Sequence, residues 1–407
     1  MSRNLLTQLI LVIVGNGVVV NGQNFADLFV SAAMRVEEVR PTTDLINKYG
    51  YPAEAHHTVT EDGYILRIDR IPRPQAPVVL VGNPLFCNSA CFVGLQNESL
   101  AFKLYNEGYD VWLGNFRGSG LSKNHTNYTI LDRQFWNYSL HEHGVIDIPA
   151  MVDYVLAATG KPSLLYSGHS MGATSWFITA ALRPDYEQRI SAVFLMGPVA
   201  SLAHHRSPML DVLHPFENVT LDFETAFGPH MLPGSNSLLR FLGGLFCRTF
   251  VPPEDPSHCL AFAILGELTA GGGNLVYPAY FQYYVPSGVS MLELLHYIQQ
   301  ANRNWPGFRQ FNHGAAKNRQ LYGQSVPPDY SLSNTSVPAY LYTGRTDIYV
   351  SPEDLAFLTT SLKDVKKVYQ VPENTFGHLD YVLNPKAPIL LYDTMIADMA
   401  SFLENQE

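Results

Sequence analysis

The segment LLYSGHSMGATSW, residues 164–176, passes from an apolar run through Gly168-His169-Ser170-Met171-Gly172 into a helix-forming stretch. No other feature of the chain restricts its fold as strongly. A serine flanked at two residues on either side by glycine, between a strand and a helix, describes a sharp turn. In it, backbone and neighbouring sheet come too close for a Cβ at the glycine positions. The serine then sits at the carboxyl end of its strand. The pentapeptide alone is a common accident, so its setting decides. From Tyr64 to about Pro198 short β-branched or apolar runs (YILRIDRI, PVVLVGN, DVWLGNF, PSLLYSG, ISAVFLMGP) alternate with longer helical ones (SLAFKLYNEGY, HGVIDIPAMVDYVLAATG, ATSWFITAALR). That alternation predicts an α/β chain with a mostly parallel central sheet flanked by helices. The spacing of Ile146, Val152 and Val155 predicts a helix over 143–159 stopped by Gly160, and Gly108 ends a helix that starts near Ser99.

Between roughly Ser201 and Ser325 the alternation is lost, and Pro, Gly, His and aromatic residues crowd stretches such as HMLPGSNSLLRFLGGLFC. The segment is too long for a plain loop and reads as an inserted, mainly helical subdomain. Strand signals return with VPAYLYTG and KKVYQVP, and an apolar helix from about Pro388 to Phe402 closes the chain.

A serine hydroxyl is a poor nucleophile unless a histidine takes its proton and a carboxylate orients that histidine. The turn at Ser170 therefore calls for an acid and then a base downstream, each just after a strand. Asp347 in AYLYTGRTDIYVSPED and His378 in ENTFGHLDY occupy such places in that order. His204, His205, His230, His258 and His296 fall in the insertion, where solvent or polar packing explains them better. The histidines and acids show no metal-ligand motif, and neither a metal nor a soluble cofactor is expected.

The first residues, MSRNLLTQLILVIVGNGVVVNGQ, place Arg3 before an apolar run from Leu5 to Val20, and small residues follow at Asn21 and Gly22. This reads as a signal peptide over 1–22, the alternative being a signal anchor that Gln8, Asn16 and Gly17 weaken as a span. Six N-x-S/T sequons, at Asn97, Asn124, Asn127, Asn137, Asn218 and Asn334, support a secretory route and are candidate glycosylation sites. Four cysteines are an even number for an oxidising compartment. Of three possible pairings the sequence-local one, Cys247 with Cys259 and Cys87 with Cys91, is simplest, with buried free thiols as the alternative. A Cys87–Cys91 bridge would need a tightly folded loop. A net charge of −10 without a dense Lys/Arg cluster argues against a nucleic-acid partner and favours an uncharged or apolar one.

GHSMGAT, INKYGYPAEAHHTVTEDGYILRIDRIPRP, NESLAFKLYNEGYDVWLGNFRGS, the FGHLDY loop and the TGRTDIYVSPED loop together resemble the acid lipase family, which includes gastric and lysosomal lipases cleaving triglycerides and sterol esters. The resemblance covers nearly the whole mature chain. It implies the α/β-hydrolase fold with core segments 23–200 and 326–407 and a cap with its lid over 201–325. It also implies the catalytic set Ser170, Asp347 and His378, and makes the Cys247 and Cys259 pair similar to the disulfide of the family's cap. The oxyanion hole is expected from the backbone N–H groups of Met171 and Leu85. Here the chain departs from its relatives. The family usually carries His-Gly-Leu-Leu in the loop before the cysteines, where this chain has Asn83-Pro84-Leu85-Phe86, and commonly Gln after the nucleophile, where it has Met171. Proline fixes φ and removes an N–H, so the loop closes in its own way.

The resulting expectation is a secretory-pathway lipase acting on neutral lipid at a lipid–water interface, secreted or alternatively lysosomal, with no stable membrane span. The reading from a different class is a secreted lipid-binding or carrier protein on a lipase fold. A peptidase or small-ester hydrolase on the same fold is disfavoured by the apolar insertion.

Overall fold

The computed structural model describes residues 41–229 and 287–406. The expected signal peptide, the middle of the aromatic insertion over 230–286, and Cys247 and Cys259 lie outside the described residues.

Nine strands form one sheet: β1 (Glu54–Val59), β2 (Tyr64–Ile71), β3 (Val78–Gly82), β4 (Asp110–Gly114), β5 (Asn124–His125), β6 (Leu164–His169), β7 (Ile190–Met196), β8 (Ala339–Thr343) and β9 (Val365–Gln370). Their spatial order is β1-β2-β4-β3-β6-β7-β8-β9, with β5 on β2. From β4 to β9 all pairs are parallel, while β1, β2 and β5 are antiparallel additions at one side. Every residue of β3, β4 and β6 is buried. Their sequences accordingly read as continuous apolar runs, because helices cover both faces of a parallel sheet.

Alternate strand residues serve opposite faces. Leu80, Trp112, Tyr166 and Val193 meet helices α2 (Ile148–Thr159) and α3 (Met171–Leu182), whereas Val79, Val81, Leu113, Leu165 and Phe194 meet α1 (Leu100–Asn106) and α6 (Asp393–Glu404). Burying an apolar side chain of this size contributes roughly 1.5–3 kcal/mol, so these two layers carry most of the favourable free energy. Val152 and Val155 face the core as the spacing predicts, and Gly160 ends α2 at φ 68°. One difference is local. His143–Asp147 winds as a π-turn ahead of α2, so Ile146 is only half-buried and the face is completed by Ile148, Met151 and Leu156. Between β7 and β8 the described residues add helices, among them α4 (Met291–Gln300), and no strand of the sheet. Helix α5 (Pro352–Ser361) then follows β8. No described helix is long and apolar enough to cross a membrane.

A buried ionic cluster fastens α4 to this core. Arg117 holds Asp147 (Nε–Oδ1 2.9 Å, Nη2–Oδ1 2.7 Å) and Asp62 (Nη1–Oδ2 2.6 Å), while His143 bridges Asp147 through Nδ1 at 3.0 Å and Glu293 of α4 through Nε2 at 2.7 Å. Removing one member of such a cluster strands a buried charge, which is the expensive way to break it. Burial disfavours a charged His143, but Glu293 and Asp147 outweigh that effect and raise its pKa to about 9. Burial likewise works against an ionised Asp147, and Arg117 and His143 overcome it and lower its pKa.

The linkage has opposite signs at the two residues. With its folded pKa above the ordinary 6.5, His143 adds stability that is complete below about pH 6.5 and is lost as pH rises through about 9. Asp147 adds stability above the usual carboxylate range that is lost as pH falls through its lowered pKa. The wild-type melting temperature is therefore expected to drop more steeply between neutral and alkaline pH than that of His143→Gln. Parallel curves in thermal denaturation would show that His143 is not charged in the fold.

Candidate active site

Three glycines bring Ser170 to its position. In the β3–β6 pairing Gly82 stands opposite Gly168, so the loop after β3 and the turn after β6 leave the sheet at one level. A Cβ on Gly168 would lie 2.6 Å from the Gly172 carbonyl carbon, and one on Gly172 would lie 2.4 Å from the Gly82 oxygen. Those are backbone atoms that cannot move aside. Between the two glycines Ser170 adopts φ 53° and ψ −112°, a conformation that costs a non-glycine residue on the order of 1–3 kcal/mol. Its N–H donates to the Met196 carbonyl at 3.0 Å, which helps hold the turn against β7.

Asp347 and His378 come from the loops after β8 and β9 and meet at this turn. His378 Nε2 is 2.8 Å from Ser170 Oγ, and His378 Nδ1 is 2.8 Å from Asp347 Oδ2. The structure thus brings together the three residues singled out in the sequence, in one hydrogen-bonded chain. Asp347 is fully buried, and burial alone would raise its pKa. Interaction with His378 and the Tyr349 N–H, which donates to Oδ1 at 2.9 Å, reverses this and lowers it. An ionised carboxylate only accepts, so the proton between the two belongs to Nδ1. Nε2 is then left to accept from the serine hydroxyl.

Two further residues belong to this arrangement and were not singled out from the sequence. His169, buried beside the nucleophile, donates from Nε2 to the His378 carbonyl at 3.0 Å and packs its ring 5.1 Å from those of His378 and Tyr381. Burial, with the neighbouring His378 second, pushes its pKa down to about 3, so it is a neutral donor near neutral pH. Tyr381 donates its hydroxyl to Asp347 Oδ2 at 3.3 Å. Gly197, at φ 54°, leaves room for both, since its Cβ would stand 3.0 Å from Tyr381 and 3.3 Å from Asp347 and His378. A histidine inside the serine motif and a tyrosine three residues after the base were the available signals. Neither type is diagnostic without knowing that the loops converge.

Met171 is the first residue of α3, where a helix leaves its N–H groups without intrahelical acceptors and the helix dipole favours negative charge. Leu85 is half-buried in the loop that leaves β3 beside that helix end. Cys87 and Cys91 form a disulfide with Cα atoms 6.3 Å apart, closing the loop that follows Leu85. The asparagines of all six sequons are exposed. Of the histidines set aside as insertion residues, His204 is exposed and pairs with Asp354, His205 lies near Asp211, and His296 bonds the Arg309 carbonyl. His230 and His258 lie outside the described residues.

A family model for the alpha/beta hydrolase fold matches residues 78–239, and one for a partial alpha/beta-hydrolase lipase region matches residues 42–95. Among solved structures, the chain is similar to a carboxylesterase from Bacillus subtilis (TM-score 0.50, 10% identity, covering 92% of this chain and 98% of that one). It is equally similar to an alpha/beta hydrolase from Penicillium sp. sh18 (TM-score 0.50, 15% identity, 87% and 98%). These two show the fold alone. Lipase 1 of Drosophila melanogaster is 35% identical over 86% of this chain and 78% of its own length. The human lysosomal acid lipase/cholesteryl ester hydrolase is 31% identical over 88% and 90%. Rat gastric triacylglycerol lipase is 31% identical over 88% and 91%. Identity of that order over most of both chains, on this fold, shows that the chain belongs to the acid lipase family of serine ester hydrolases.

Proposed function

We propose that this chain is a secretory-pathway lipase that cleaves carboxylic esters of neutral lipids, triglycerides or sterol esters, through a Ser170 acyl-enzyme. The observation that carries the reading is the chain Ser170 Oγ, His378 Nε2, His378 Nδ1 and Asp347 Oδ2, with both links at 2.8 Å. Each step of an acyl transfer has an atom to perform it. As Ser170 Oγ attacks the ester carbonyl, its proton passes to His378 Nε2, and the buried Asp347 carboxylate stabilises the imidazolium. The carbonyl electron pair moves onto oxygen, facing the Met171 and Leu85 N–H groups. Collapse of the tetrahedral species expels the alcohol, which takes the proton back from His378. Water activated by the same histidine then releases the fatty acid.

The substrate class is supported by the named lipids of the human and rat relatives and by the low charge and high aromatic content of the insertion. In this reading residues 1–22 are removed as a signal peptide and 201–325 form a cap carrying the lid over a core built from 23–200 and 326–407. Cys247 pairs with Cys259 inside that cap. The six exposed sequon asparagines suit glycosylation on the way to a secreted or lysosomal destination.

Purified wild-type protein is expected to hydrolyse emulsified long-chain triglyceride or sterol ester in preference to a short soluble ester. Ser170→Ala should lose that activity by about a million-fold, as removal of a serine nucleophile does elsewhere. Wild-type protein that binds fatty acid without turning over any ester would make the chain a carrier instead. Asp347→Asn would present Nδ1 with an amide that favours the wrong tautomer, and kcat should fall by about 10⁴ with KM little changed. A fall below ten-fold in steady-state kinetics would remove Asp347 from the orienting role.

A further inference from the structure

One buried side chain beside the triad has no part in the proton transfers above. Asn83 follows directly on the last residue of β3 and is fully buried. Its Oδ1 accepts the Phe116 N–H at 3.0 Å, and its Nδ2 donates to the carbonyls of Pro84 and Cys87, both at 3.0 Å. One acceptor and both donors are used. The partners, an N–H on one side and two carbonyls on the other, fix which way the amide faces.

The Pro84 carbonyl is half of the peptide unit whose other half is the Leu85 N–H. In a trans peptide the C=O and N–H point in opposite directions, so a carbonyl held toward Asn83 aims the Leu85 N–H away from it. The same oxygen accepts the Cys87 N–H at 3.2 Å, and two donors on one carbonyl polarise the unit and strengthen its N–H as a donor. The rest of the loop is equally restricted. Pro84 has a fixed φ and no N–H of its own, Phe86 sits at φ 62°, and Cys87 is bridged to Cys91. The loop starts at Gly82, which pairs with Gly168 and whose oxygen lies against the first turn of α3 at Gly172, so it leaves the sheet at the level of the Ser170 turn. Among the described residues the Leu85 N–H donates to no other group.

We infer that Asn83 is a positioning residue for the oxyanion hole, its side-chain amide setting the Pro84–Leu85 peptide plane so that the Leu85 N–H faces the charge that develops on the ester oxygen. It acts through Leu85 and does not touch substrate. In acid lipases the place is usually taken by histidine, whose ring also offers one donor and one acceptor. Asn83 thereby accounts for how a loop with proline in place of glycine can still present its N–H. The inference rests on the acyl-enzyme reading.

Asn83→Asp tests it with nearly unchanged shape. The variant keeps an acceptor for Phe116 and sets an oxygen against the two carbonyls. Turnover of p-nitrophenyl butyrate is expected to fall about 100-fold in kcat, the typical loss for one oxyanion donor, with KM within about two-fold. A trifluoromethyl ketone reports on the hole itself. Ser170 Oγ bonds to its carbonyl carbon, the proton passes to His378, and the electron pair settles on oxygen as an alkoxide. Its Ki should rise by the same factor as kcat/KM falls, and Asn83→His should recover activity to within about ten-fold of wild type.

Unchanged kcat and Ki in a folded Asn83→Asp, or a rise in KM alone, would overturn the assignment. Should that variant fail to fold, Asn83→Gln, which moves the amide by one methylene, gives the same comparison. Loss of kcat/KM that tracks Ki supports the role, and loss without any change in Ki refutes it. Failure of the underlying reading looks different, since Ser170→Ala would keep wild-type turnover and the ketone would form no adduct on the unaltered protein.

Discussion

The contact on which this architecture turns is one of backbone with backbone, between the end of β3 and the first turn of α3. Gly82 and Gly172 touch so closely that a methyl group at Gly172 would overlap the Gly82 oxygen, and Gly168 is closed off from the other side by the same helix turn. The parallel register that sets Gly82 against Gly168 is what makes the approach possible. Once it is made, a strained serine, a helix N-terminus and the loop carrying Leu85 occupy one corner of the sheet without further adjustment. The strain at Ser170, on the order of 1–3 kcal/mol, is small beside the burial of the two layers that hold the strands in register.

Convergence of the other two loops follows from strand order. β7, β8 and β9 lie successively beside β6, so the loops after β8 and β9 end near the same corner as the serine turn. Adjacency alone would leave Asp347 and His378 free to choose among rotamers. The specific geometry comes from Tyr349 and Tyr381 on the two carboxylate oxygens and from His169 on the His378 carbonyl. The ties that hold the acid and the base are thus themselves buried hydrogen bonds. His169 holds its position as a neutral group, so it places no second positive charge beside the His378 ring.

The parts of this fold legible in the sequence are those whose physics is local. Continuous apolar runs marked the buried strands, Gly160 and Gly108 marked helix ends, and Gly168 and Gly172 marked a turn whose sterics are written in five residues. Strand β1 escaped because it lies at the sheet edge and alternates half-buried with exposed residues, and EAHHTV carries little apolar signal. The serine, acid and base could be chosen in advance because their order along the chain is constrained by the fold. His143, Glu293, Asn83 and His169 could not, since each owes its role to a partner distant in sequence, and a lone buried histidine or asparagine looks the same before the chain is folded. The Cys87–Cys91 bridge stood between these cases. Its spacing permitted either a disulfide or two thiols, and the turn set by Pro84 and Phe86 brings the sulfurs together.

The described end of the insertion shows why the loop after β3 is stiff. As the chain returns to the core, the Ser287 N–H donates to the Phe86 carbonyl at 2.6 Å and Ser287 Oγ accepts the Gly120 N–H at 2.5 Å. Ser290 then caps α4 while its hydroxyl bonds the Trp136 carbonyl at 2.6 Å, and Glu293 reaches His143. The loop that carries Leu85 is therefore pinned at three places: by the Asn83 amide, which also ties it to Phe116, by the disulfide beyond it, and by the returning insertion at Phe86. An N–H group stabilises a developing charge in proportion to how little it must reorient when the charge appears. Rigid attachment is thus what the proposed role of this loop, with proline and asparagine where relatives carry glycine and histidine, would require. The ionic cluster at His143 contributes to that rigidity by holding α4, and with it the insertion's return, against the core.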